Sequence, residues 1–129
     1  MQTIPPALDR PLAAPFTDGL RHGVLRYQRC AACNGAQTLA RYACQHCGAD
    51  ALVWHDAAGA ATVRAVTVVA RAPSEAFRSL APYTLVLAQL DEGPRLMAHA
   101  VPDVQIGDRV HASFFEHAGQ PLVRFAPSA

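Results

Sequence analysis

From Ala51 onward apolar and polar positions alternate in short runs, each closed by turn-forming residues, the pattern of β-strands with one face buried. It predicts an opening strand at Ala51–His55, a turn at Asp56–Ala60 and a longer strand from about Ala61 to Ala70. In TVRAVTVVA the alternation slips near Ala65–Val66, as it does where a β-bulge bends a strand. A proline-bounded loop from Arg71 to Pro82 precedes YTLVLAQL, which is apolar on both faces and predicts a strand covered on both sides. DEGP is a tight turn into RLMAHAV, and PDVQIGD is the next loop. Arg109–Glu116 alternates Val110, Ala112 and Phe114 against Arg109, His111 and Ser113, and HAGQP turns the chain into Leu122–Phe125.

About five barrel strands, with no repeat and no βαβ unit, fit a small Greek-key barrel of OB type better than a seven-strand sandwich, which stays open as the alternative. The first fifty residues lack this pattern. Residues 1 to 15 are rich in Pro and Ala without periodicity and predict an extended arm. A short helix is expected from Phe16 to His22, with Thr17 as N-cap, Asp18 in the first turn and Gly23 just past the end. Val24 to Arg29 reads as a strand that delivers Cys30. The expected organisation is therefore an arm (1–15), a helix with a cysteine-bearing ribbon (16–50) and a barrel (51–129), a mainly β protein.

Composition narrows the function classes. With 51% hydrophobic and 16% charged residues, the 129-residue chain has the means to build a core and is too short for a large two-domain enzyme. Net charge is +1, and all eleven basic residues are arginines dispersed from Arg10 to Arg124, a poor footprint for nucleic acid. No apolar run reaches the ~18 residues of a membrane span, and the N-terminus lacks the basic and apolar regions of a signal peptide. Cytoplasmic residence is the expectation, and there clustered cysteines are metal ligands more often than disulfides.

All four cysteines lie between Gln28 and Asp50 as two Cys-x-x-Cys pairs, Cys30 with Cys33 and Cys44 with Cys47. Such a turn places two sulfurs on one side of an ion and leaves backbone amides to hydrogen-bond them, so two turns complete a tetrahedral shell. A glycine follows each knuckle, Gly35 after one intervening Asn34 and Gly48 directly, and both sites suit the positive φ such turns demand, which Asn and Gly tolerate. A shell of four thiolates has no open position, so structural Zn2+ is the expected cofactor. Rubredoxin-type iron uses the same ligands with pairs more widely spaced, and a redox dithiol needs only one pair in a βαβ context. His46, inside the second knuckle, is an alternative ligand or a solvent-facing residue.

The remaining residues form no catalytic constellation. His22, His55, His99, His111 and His117 are scattered and read as surface or strand-edge residues, and Asp91, Glu92, Asp103 and Asp108 occupy turns. Trp54 is expected to seal the ribbon against the barrel. Phe114 and Phe115, being adjacent, face opposite sides of one strand. Arg64, Arg71 and Arg78 lie along the bent strand and following loop, as phosphate contacts or as solvated arginines.

The order of FTDGLRHGVL, QRCAACNG, CQHCG, a Trp, GAATVRAVTVV, APYTLVLAQLDEG and IGDRV resembles an acyl-CoA-associated family that joins a rubredoxin-like zinc ribbon to an OB-fold. The likeness runs from about Phe16 to Phe125. Two departures stand out: Cys-Asn-Gly replaces the usual Cys-Gly of the first knuckle, and no proline follows the first cysteine of the second. The resemblance implies a non-catalytic accessory subunit in a hetero-oligomer with a thiolase-like, acyltransferase, aldolase or hydratase enzyme, stabilising it and helping to hold or pass the CoA thioester. It further implies that the loop from Phe77 to Tyr83, with Arg64, Arg71 and Arg78, approaches CoA. A single-stranded nucleic-acid binder and a rubredoxin-like electron carrier are the rival readings.

Overall fold

The computed structural model describes residues 12–128. Most of the expected arm, residues 1–11, lies outside the described residues, and its last two positions are already helical. Helix α1 spans Ala14–Arg21, two residues earlier than the pattern suggests, because Pro15 sits in the first turn where its missing N–H costs nothing. Thr17 is not the N-cap. Its amide donates to Ala13 O at 3.0 Å inside the helix, and Ala13 takes the cap position without a side-chain bond.

After α1 the chain enters β1 (Arg26–Cys30), which pairs on one side with the two-residue β2 (Ala36–Gln37) and on the other with β3 (Leu52–Asp56), both antiparallel. This is a correction: the strand expected to open the barrel forms where anticipated but closes the ribbon sheet, with Cys30 opposite Leu52 and Gln28 opposite Trp54. Trp54 is half-buried there and lies outside the main core.

The barrel consists of β4 (Ala60–Val69), β5 (Tyr83–Leu90), β6 (Arg95–Ala100), β7 (Arg109–His117) and β8 (Gln120–Pro127), closed in the order β4-β5-β6-β8-β7. Five strands in this order are an OB-type barrel, and the only parallel pair among the described strands joins β6 to β8. The bulge is present: the β4–β5 register shifts between Val63 and Ala65, so Ala61 and Val63 face inward before it and Val66 packs against the core after it. In β5 the inner residues Thr84, Val86, Ala88 and Leu90 are buried, whereas Tyr83, Leu85, Leu87 and Gln89 are only half-buried, so the strand is not fully covered on both sides. The loop before it holds a 3₁₀ turn at Glu75–Leu80.

One apolar cluster fills the barrel, with Phe125, Val63, Val110, Val86 and Leu90 almost fully enclosed. Leu20 from α1 and Leu25 from the segment before β1 belong to the same cluster. Leu25 is 1% exposed, a burial worth about 1.5–3 kcal/mol, and it fastens the ribbon to the barrel from inside the core.

Candidate metal centre and its surroundings

Strand β1 carries Cys30 to the edge of the ribbon, where two turns of the same design face each other. In the first, the Asn34 amide donates to Cys30 O at 2.8 Å and the Gly35 amide to Cys33 Sγ at 3.4 Å. In the second, the Gly48 amide donates to Cys44 O at 2.9 Å and the His46 amide to Cys44 Sγ at 3.3 Å. The positive φ expected after each knuckle is present, at Gly48 (79°) in the second and at Asn34 (65°) rather than Gly35 in the first.

The four sulfurs lie within 4.8 Å of one another, and the Cys30–Cys47 and Cys33–Cys44 pairs are each 3.6 Å apart. Thiolates bound tetrahedrally at about 2.3 Å have edges of about 3.8 Å, so the set fits one ion of that kind. Cys30 and Cys44 are buried, Cys33 and Cys47 exposed, and none is in a disulfide. The thiols alone titrate in conflict. Partial desolvation opposes the Cys44 thiolate, yet the His46 and Cys47 amides and the Cys33 and Cys47 thiols bring it down to about 6. The Gly35 amide favours the Cys33 thiolate, but desolvation and the neighbouring sulfurs outweigh it and push Cys33 up to about 12. A divalent cation resolves the conflict by giving every sulfur a positive neighbour.

His46 is not part of the sulfur set. Its exposed ring packs against Gly35, where a Cβ would lie 2.5 Å from His46 Cδ2, and its Nε2 is 3.4 Å from Ala36 O. Gly35 is therefore needed for close approach.

Two buried glutamines hold the segment between the knuckles. Gln28 and Gln37 are each 3% exposed. Gln28 exchanges bonds with the Arg41 backbone, donating to its carbonyl at 3.1 Å and accepting from its amide at 3.0 Å, while Gln37 Nε2 donates to Gln28 Oε1 at 3.1 Å. Gln37 Oε1 in turn accepts from the Gln45 amide at 3.2 Å, next to Cys44. Sequence reasoning missed this network, because a lone Gln in a short strand looks like a solvent-facing position. Ribbon and barrel also meet through polar contacts: Arg29 donates to Glu92 O at 3.1 Å and Thr38 Oγ1 to Arg95 O.

The residues expected near CoA are brought together only in part. Arg71 and Arg78 line one surface hollow with Ala70, Ala72 and Ala81. Phe77 and Tyr83 meet at 6.3 Å between centroids, whereas Arg64 lies apart, donating to Gln89 Oε1 at 3.0 Å. Nor is His99 a plain surface residue: it is half-buried among Tyr83 at 5.2 Å, Phe115 at 5.6 Å and Phe77 at 5.9 Å. Phe114 packs on the core and Phe115 on this outer face, opposite sides as expected.

Two family models match in tandem: the rubredoxin-like zinc ribbon domain of ChsH2 over residues 17–53, and the C-terminal OB-fold domain of ChsH2 over residues 54–115. The chain belongs to the ChsH2 family. The junction between the two ChsH2 matches falls inside β3, the strand that the ribbon sheet claims. Among solved structures, a chain of the Ltp2-ChsH2(DUF35) aldolase superimposes with a TM-score of 0.79 at 30% identity, over 93% of this chain and 97% of that one. A DUF35-family protein of unknown function from Sulfolobus solfataricus shares the fold, with a TM-score of 0.64 at 19% identity over 92% of this chain and 86% of that one. A curated relative, the probable enoyl-CoA hydratase alpha subunit of Thermomonospora curvata, is 34% identical over 115 residues, covering 86% of this chain and 35% of that protein. The chain thus spans about a third of that relative's length. No helix among the described residues is long and apolar enough to cross a membrane.

Proposed function

We propose that this chain is a non-catalytic accessory subunit of an acyl-CoA-processing enzyme of thiolase-like, acyltransferase or aldolase type, acting in the cytoplasm. The observation that carries the reading is the closed set of four cysteines: the one place where potent ligands converge among the described residues leaves no coordination position for a substrate. The presence of a ChsH2 chain in an aldolase and the name of the hydratase relative support the choice of partner class.

Zn2+ is the ion proposed for Cys30, Cys33, Cys44 and Cys47, and when bound it supplies a crosslink that replaces a core. The chain's own residues orient the ligands through the Gly35 and His46 amides and hold the intervening segment with Gln28 and Gln37. For CoA, the shared hollow of Arg71 and Arg78 supports a phosphate contact, and the adjacent rings of Phe77 and Tyr83 support an apolar path beside it. Arg64, which donates to Gln89 Oε1, stands outside that hollow.

Coexpression with thiolase-like and aldolase enzymes of the same organism tests the proposal. Coelution as a hetero-oligomer, with no turnover of acyl-CoA by the isolated chain, is expected. Failure to associate, or turnover by the isolated polypeptide, would overturn it.

A further inference from the structure

Three described arginines are half-buried: Arg26, Arg29 and Arg124. The first two have their donors engaged. Arg26 reaches Asp56 Oδ1 at 3.1 Å and Pro15 O at 3.2 Å, and Arg29 reaches Asn34 O at 2.8 Å and Glu92 O at 3.1 Å. Arg124 differs. Its guanidinium lies 4.1 Å from the centroid of the Phe115 ring, and no side chain or carbonyl among the described residues accepts a hydrogen bond from it. A partly desolvated guanidinium with no protein acceptor keeps its fork of donors open to an anion.

The fold places that demand in a concavity. Val123 and Phe125 face the core, so Arg124 faces outward, in register with His99 of β6 and Ser113 of β7. With Tyr83 and His99 it lines a hollow of ≈ 210 Å³ whose remaining wall includes Leu80, Val101 and Pro102. Burial, reinforced by the charge of the neighbouring Arg124, lowers the His99 pKa, so at neutral pH this imidazole offers hydrogen bonds without adding charge. The lining of the hollow therefore combines one full positive charge, that of Arg124, with Tyr83, an uncharged His99 and an apolar wall. One charge balances a monoanion and leaves a phosphate dianion half compensated, and the guanidinium fork matches the two coplanar oxygens of a carboxylate.

We propose that this hollow binds a small monocarboxylate, its two oxygens on Arg124 and its hydrocarbon body against Leu80, Val101 and Pro102. The site goes beyond the accessory-subunit reading; of the loop assigned to CoA it shares Leu80 and Tyr83 but none of the arginines, and either proposal can fail while the other stands.

The test is a titration of the full-length, isotope-labelled chain followed by amide and arginine side-chain NMR, with benzoate as the probe. Saturable shifts at Tyr83, Val101 and Arg124 are expected. Arg124→Gln should weaken binding by about tenfold or more without loss of folded dispersion, and Arg124→Lys should retain part of it. Tyr83→Phe, which keeps the ring, serves as an independent variant and should weaken binding severalfold. Methyl benzoate, inorganic phosphate and a doubly blocked glutamate, standing for a carboxylate on a protein partner, should all bind more weakly than benzoate. Absence of saturable shifts, unchanged affinity in both Arg124→Gln and Tyr83→Phe, or tighter binding of any of the three comparison probes would overturn the assignment.

Discussion

Ribbon and barrel solve the same problem with opposite materials. The barrel encloses Val63, Val86, Leu90, Val110 and Phe125, an interior with no polar member among its most buried side chains, and its stability comes from apolar area removed from water. The ribbon buries two glutamines and two cysteines, groups that oppose folding unless each is paired. Its sheet holds only twelve strand residues across β1, β2 and β3, too few to build a core of that kind. Burial carries one region; in the other, complete hydrogen bonding and a cysteine cluster fitted to a metal take its place.

That contrast breaks most sharply at the ligands. Cys44→Ser removes a buried sulfur that collects the His46 amide, and the expected outcome is loss of the ribbon fold while the barrel persists. Amide hydrogen exchange would show it as protection lost from residues 26–56 and retained in β5 and β6. Next in size is Phe125→Ala, a fully enclosed aromatic at the parallel β6–β8 junction. A cost of about 3–5 kcal/mol is expected by denaturant titration, with the four sulfurs still able to take up metal.

Gln28→Leu sharpens the comparison from the ribbon side. It leaves the Arg41 amide and the Gln37 side chain without the acceptor they share, and a loss of about 1–3 kcal/mol is expected even though the new side chain is more apolar. Smallest of all is the surface pair of Arg109 with Asp91, at 2.7 Å. Hydrogen bonding from Arg109, helped by its charge and opposed by slight desolvation, holds the Asp91 carboxyl below its ordinary range. A depressed carboxyl stabilises the fold above its unfolded pKa of about 3.9 and loses that contribution as pH falls through the folded value. Asp91→Asn should therefore lower Tm slightly at pH 7 and leave it unchanged in strong acid, with high salt narrowing the difference.

The parts of this architecture legible in the residue order are those that chemistry writes locally. Thiol spacing, the Asn34 and Gly48 turns, the slip of alternation in β4 and the strand-and-turn rhythm of the barrel all depend on neighbours within a few positions. What escaped detection depends on partners far away. Leu52–Asp56 reads as one more alternating strand, and nothing in those five residues says that β1 rather than β4 is its neighbour. Gln28 and Gln37 look like solvent-facing residues until the loop carrying Arg41 folds over them. Arg124 is one arginine among eleven in the sequence and becomes distinctive only when β6 and β7 enclose it without offering a carboxylate. The helix start failed for a local reason: Thr17 is a good cap residue, but Pro15 favours the first turn and draws the helix ahead of it.

The most direct measurement combines metal content with hydrogen exchange on one purified sample, before and after treatment with a strong chelator. One zinc per folded chain is expected, with slow exchange in β1 and around both knuckles that disappears on chelation while the barrel strands stay protected. A ribbon that keeps its protection with no metal bound would contradict the account.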